Sequence, residues 1–406
     1  MGMGNIATTG MQAAMSNMDV ISNNIANANT GGFKKSTANF ADIFPSGNDA
    51  SGAQIGIGVT LDSVQQNFSP GGYQTTGLAG DMAISGNGFF VLRDATSGRV
   101  SYSRFGNFKF DNTTGYFTNG NQRLQGFLAS NGVIPAGSTA TDLKINTAAQ
   151  PAKASTTVTA HGLNLNSGDA IIPVTPTFSP TNSATYNYTT HTTLYDSLGN
   201  PTNLDLYYAK SSANTWNVYA VVNGTVINAG TPGVMSFNSS GQLASAPTGL
   251  GALAYTPTTG AAAMTFSVDM TGSTQFGSPD NTLPFTTNGY SAGTFSSFQM
   301  DNSGIITAVY SNGPSVIVGQ VAIATFQSPQ NLQNMGDSTW LSTTASGEPV
   351  VNPTNSSNNL KGGALETSNV DLAAELVNLI NAQNTFQANA QVEQTYNEVM
   401  QTVTKL

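Results

Sequence analysis

There is no cysteine among the 406 residues of this chain. Disulfides, thiolate metal sites and cysteine nucleophiles are thereby excluded, so the fold must be held by packing and by assembly. Charge is almost as scarce. Asp, Glu, Lys and Arg make up 8% of the residues, where a globular chain carries about a quarter. The 21 acids and 12 bases leave a net charge of −9, and no basic cluster exceeds Lys34-Lys35. That balance argues against nucleic acid and anionic membrane as partners. No apolar run approaches the length of a membrane span, and residues 1–30 lack the basic start, apolar run and cleavage site of a secretory signal peptide.

Chemistry-bearing patterns are equally thin. The only two histidines, His161 and His191, lie in Thr-rich stretches without a neighbouring acid. They read as strand or surface residues rather than as a general base or a zinc ligand. There is no H-E-x-x-H, no G-x-S-x-G and no P-loop, and Gly56-Ile57-Gly58 lacks the third glycine of a nucleotide loop. The acids are scattered, without a pair resembling a glycosidase couple. The chain therefore reads as a non-enzyme with no cofactor and no metal site. A β-rich adhesin or polysaccharide-active protein would need a signal peptide and, for catalysis, a convergent acid pair.

What is present is a core-forming share of apolar residues, 39%, and polarity carried by Asn, Thr, Ser and Gln with 43 Gly. Neutral amides and hydroxyls are cheaper to desolvate than charges, which suits a surface packed against copies of itself. The length allows two or three domains.

The ends differ from the middle. Residues 5–29 contain no Pro and only one Gly, and Met11, Ala14, Met18, Ile21, Ile25 and Ala28 recur at spacings of three and four. That is one narrow stripe on a helix about 37 Å long, ended by Gly31-Gly32. At the other end Ser368-Asn369-Val370-Asp371 reads as a helix start, with Ser-x-x-Asp as a capping box. Leu372, Leu376, Leu379, Phe386 and Ala390 form a stripe that drifts into Val392, Tyr396, Val399, Val403 and Leu406. The faces beside both stripes are small and neutral, where a solvated helix would show Lys and Glu. Such a seam does not stabilise an isolated helix. The two terminal helices are expected to pair with each other and then with the same pair in neighbouring subunits.

Residues 80–350 are β-rich, with segments such as Trp216–Val222 and Val316–Ile323. Asp94 to Gly98, Asp111 to Gly115, Asp196 to Gly199, Asn238 to Gly241 and Asp301 to Gly304 each run from Asx to Gly. They are expected to be hairpin turns rather than calcium loops, since none has the carboxylate cluster that a hard cation needs.

Four segments resemble the bacterial flagellar rod/hook axial family. Asn23-Asn24-Ile25-Ala26-Asn27 with Thr30, Gly32, Phe33 and Lys34 is similar to its N-N-I-A-N-x-x-T-x-G-F-K signature. Asp81–Leu92 resembles D-x-A-I-x-G-x-G-F-F, and Tyr102–Phe108 resembles Y-x-R-x-G-x-F. Gly363–Leu372, containing Asn369, Val370 and Asp371, is similar to G-x-L-E-x-S-N-V-D-L. Residues 150–280 carry no matching motif.

The resemblance implies an α+β multidomain subunit, with a coiled-coil-like inner domain of paired terminal helices and mainly antiparallel all-β middle and outer domains. The boundaries read as 1–30 with 364–406 for the helical domain and 31–75 for an extended connecting segment. A middle β domain takes 76–146 with 282–345, an outer β domain takes 147–281, and 346–363 is a linker. Length separates the family's members. The distal rod protein lacks a sizeable outer domain, so the 147–281 block points to the longer member, which builds the curved tube carrying motor torque from rod to filament. The implied partners are many copies of the same chain, the distal rod protein at the base, and the cap and junction proteins at the tip. The flagellar type III apparatus would export the chain without a cleaved signal.

Overall fold

The computed structural model describes residues 3–44, 56–130, 132–228, 230–353 and 358–405. Leu406, the last member of the C-terminal stripe, lies outside them. The protein is mostly β, with one long helix at each end: α1, Met3–Ala26, and α2, Leu372–Val403. Both form where the sequence is free of Pro, and the end of α1 and the start of α2 are each fixed by named groups. At the end of α1 the Asn27 amide donates to the Asn23 carbonyl at 3.0 Å, and the Thr30 hydroxyl donates to Asn27 Oδ1 at 3.1 Å. Gly32 then turns the chain with φ of +68°, a conformation that favours glycine. Helix α2 is capped by Asp371, which accepts from Ala373 N and Ala374 N at 3.0 and 3.2 Å. This corrects the expected capping box. Ser368 lies outside the helix, and its hydroxyl accepts from Val370 N at 3.3 Å.

The chain divides into two compact units: 1–147 with 297–309 and 315–406, and 148–296 with 310–314. In the first, the strand Ser315–Thr325 pairs antiparallel with Ile305–Tyr310, Gln122–Leu128, Phe89–Asp94 and Val350–Pro353. Phe68, Phe89, Tyr102, Phe326 and Trp340 pack edge to face around this sheet, with centroids 4.8 to 5.8 Å apart. Ser36–Ile43 pairs with Gly58–Gln66 in an antiparallel ladder that lies against α1. Ala364–Glu366 pairs with Tyr73–Thr75 and so anchors the chain just before α2.

The second unit holds two five-stranded sheets. One contains Tyr188–Tyr195, Pro201–Ser212 and Thr215–Val222; the other is built on Thr157–Asn166. They share one core that includes Leu165, Leu204, Leu206, Tyr208, Trp216, Val218 and Phe266. Thr157–Asn166 runs parallel to Met264–Asp269 and Thr274–Phe276, which alternation alone does not reveal.

Two boundaries need correcting. Asn281–Thr287 pairs antiparallel with Thr157–Asn166, so residues 282–296 belong with the second unit rather than with 297–345. The supposed linker 346–363 carries the paired strands Val350–Pro353 and Asn358–Gly362, and Leu360 is fully buried. Its Asn- and Ser-rich composition mimics a linker, but tertiary pairing supplies the order that local propensity lacks.

The five Asx–Gly turns form as expected. The N–H groups of Gly98, Gly115, Gly199, Gly241 and Gly304 reach back to the carbonyls of Asp94, Asp111, Asp196, Asn238 and Asp301 at 2.7 to 3.0 Å. Each Asx Oδ1 accepts the N–H two residues on, at 2.8 to 3.0 Å. These oxygens are engaged by the backbone. Among the described residues no group of three or more His, Asp or Glu could hold a metal ion.

Candidate assembly surface and motif junction

The two terminal helices lie side by side in opposite directions. Gly10 of α1 abuts Asn389 of α2, and a Cβ placed on Gly10 would lie 2.7 Å from the Asn389 Oδ1. Fourteen residues along α1, the Asn24 amide meets Glu375 Oε2 at 3.4 Å, fourteen residues back along α2. At ~1.5 Å per residue both intervals span about 21 Å, so the register is kept. By the same register Met3 falls opposite position 396, and the last two turns of α2 extend beyond α1.

The seam differs from the expected apolar one. Apart from Ile21, its buried residues are small or polar: Ala7, Ala14 and Asn24 on α1, and Glu375 and Ala382 on α2. Lys35 Nζ stands 3.9 Å from Glu375 Oε1. Of the α1 stripe, Ala14 and Ile21 are buried, while Met11, Met18 and Ile25 are half-buried. On α2, Leu379, Phe386, Ala390 and Tyr396 are half-buried, whereas Leu372, Leu376, Val392, Val399 and Val403 stay exposed. Val377, Ile380 and Met400 join them in the open. Small residues let two helices approach closely, so the larger apolar side chains of α2 are excluded from the seam. The result is uncovered apolar surface on α2, from Leu372, Leu376 and Ile380 in its first half and from Val392, Val399 and Val403 in its last, beyond what isolated surface residues produce.

The motif residues occupy the junction below the helices. Asn24, buried in the last turn of α1, accepts from Ser36 N at 2.9 Å and donates to Ser36 O at 2.8 Å. Asn369 accepts from Lys35 N and donates to Asn67 O, both at 2.8 Å. One amide from each end of the chain thus clasps residues 35 and 36. A Cβ on Gly31 would lie 2.3 Å from the Phe105 ring, which explains the small residue there. Asn23 and Ala26 are exposed, and Phe33 and Val370 are half-buried.

Two motif residues whose role the sequence does not reveal meet here: Arg104 and Glu366. With Lys34 they form a buried cluster, at 0–1% side-chain exposure. Lys34 Nζ lies 2.7 Å from Glu366 Oε1, and Arg104 Nε lies 2.9 Å from Oε2. Burial pushes the Lys34 pKa below the ordinary lysine range; Glu366 opposes that shift and Arg104 reinforces it. The available signal was their charge, in a chain that has so little of it.

Both histidines are exposed, and His161 Nε2 contacts Thr286 Oγ1 at 2.9 Å. No described helix is long and apolar enough to cross a membrane.

Four family models match in chain order. Residues 5–34 match a flagella basal body rod protein model, and 83–168 match the flagellar hook protein FlgE/F/G D1 domain. Residues 164–290 match the flagellar basal body protein FlaE D2 domain, and 361–406 match the flagellar basal body rod FlgEFG protein C-terminal model. The flagellar hook protein FlgE of Escherichia coli K12 is 37% identical over 410 residues, covering 98% of each chain. The chain belongs to the flagellar hook protein family. The hook protein of Borreliella burgdorferi is 31% identical over 439 residues, again covering 98% of each chain. Helicobacter pylori FlgE2 shares the fold, with a TM-score of 0.53 at 16% identity. That match covers 72% of this chain and all of the other. A hook-family chain with this architecture is a structural protein.

Proposed function

We propose that this chain polymerises through its terminal helices into the flagellar hook, a curved tube that transmits torque from rod to filament. The observation that carries the reading is the exposed apolar face of α2, left over after α1 has filled the seam. A face of this kind on one subunit, meeting a different surface on the next, makes a heterologous contact that does not close, and repetition builds a helical tube. The helix pair α1–α2 forms the coiled-coil-like inner layer. The β units supply neutral contacts that slide as the tube rotates, which fits a chain with only 8% charged residues. Rod, cap and junction proteins bound the polymer, and export proceeds through the flagellar type III apparatus. The full-length relatives and the matched block 164–290 favour this over the shorter distal rod protein.

Electron microscopy of purified chain under polymerising conditions is expected to show curved tubes. Truncation after Tyr396, which removes the overhang of α2, is expected to abolish them. Straight rods from the intact chain, or normal tubes from the truncated one, would overturn the proposal.

A further inference from the structure

The cluster of Lys34, Arg104 and Glu366 joins three distant parts of the chain. Lys34 follows α1 by eight residues, Glu366 precedes α2 by six, and Arg104 belongs to the β body between them. Beyond the two ion pairs, Glu366 Oε1 accepts from Gly71 N at 2.9 Å. Arg104 Nη1 donates to the carbonyls of Gly86 and Gly88 at 2.9 and 2.6 Å, and Lys34 Nζ donates to the Ser69 carbonyl at 2.8 Å.

The three charges are not equivalent. With Lys34 absent, Glu366 and Arg104 remain a neutral, hydrogen-bonded pair. With Glu366 absent, two cations face each other in a buried site with only carbonyls to offset them. An uncompensated buried charge costs far more than the loss of one partner from a still-neutral pair. We infer that these residues form an ordered latch. The C-terminal segment docks on the β body first, through Glu366 and Arg104, and only then does the N-terminal segment seat Lys34. The latch acts as a positioning device: it presents the end of α1 and the start of α2 together, so their helices enter the pair in register. Three of the four motifs contribute one charge each, which the apolar face of α2 does not explain.

The order is read by hydrogen exchange with mass spectrometry on the full chain, in peptides covering 30–36 and 362–368. These lie in the junction rather than in the helices, so the reading is separate from polymerisation. Glu366→Gln is expected to speed exchange in both peptides by about a hundredfold or more. Lys34→Met is expected to release only residues 30–36, leaving 362–368 within about threefold of the parent. Adding Lys34→Met to Glu366→Gln removes one of the two facing cations and is expected to recover part of the protection at 362–368, since Arg104 still lacks its carboxylate. A scaffold contact without order would instead make the double variant worse than either single one. Equal release of both peptides by Lys34→Met overturns the latch, and so does a double variant less protected than Glu366→Gln. If Glu366→Gln does not fold, the Lys34→Met result alone decides.

Discussion

Replacing Leu376 and Ile380 by Ser tests the apolar face of α2 directly. The two side chains retain 46% and 56% of their surface in the free subunit. Fully burying such a side chain is worth about 1.5–3 kcal/mol, so covering the remaining half contributes about 1 kcal/mol each. The pair of substitutions therefore removes about 2 kcal/mol from each subunit addition. At 1.4 kcal/mol per factor of ten, that raises the critical concentration for polymerisation about 30-fold. The free subunit loses little, since both side chains already face water. Serine's lower helix propensity accounts for about 0.5 kcal/mol per position. Sedimentation of polymer over a concentration series gives the critical concentration, and far-UV circular dichroism of the monomer gives the stability. A critical concentration unchanged within about threefold would refute the reasoning. So would a fall in monomer stability as large as the loss in assembly, because the face would then be serving the fold.

Two further outcomes concern the β body. Gly106→Ala would place a Cβ 1.8 Å from the Met82 carbonyl oxygen, which is backbone and has no easy escape. Urea unfolding should show a loss of about 2 kcal/mol or more, whereas Gly251→Ala, with no atom within 4 Å, should stay within about 0.5 kcal/mol. The Asp94 carboxyl is held at about 2, against an ordinary 3.8, by the Ser97 N–H and hydroxyl, with Thr96 N–H and Asn121 adding to them. Because the folded value is depressed, its contribution is present above the ordinary value and is lost as pH falls through about 2. Carboxyl NMR titration should find that midpoint, and Asp94→Asn should remove this group's share of the acid limb of the stability curve.

Features governed by short-range physics were legible in the residues. The Pro-free, three-and-four-spaced ends became α1 and α2 because helix periodicity and caps act within a few residues. The Asx–Gly turns formed because an Asx oxygen and a glycine at positive φ suffice to close them. The stripe on α2 was legible too, but not its direction. Periodicity gives a face without naming its partner, and the close approach of α1 selected Gly10, Ala14 and Ala382 for the seam in place of the larger side chains. Only the tertiary structure decided the parallel pairing of Thr157–Asn166, the strands hidden in 346–363, and the meeting of Lys34, Arg104 and Glu366. Contacts between residues hundreds of positions apart depend on how the whole chain is routed, and no local pattern encodes that route.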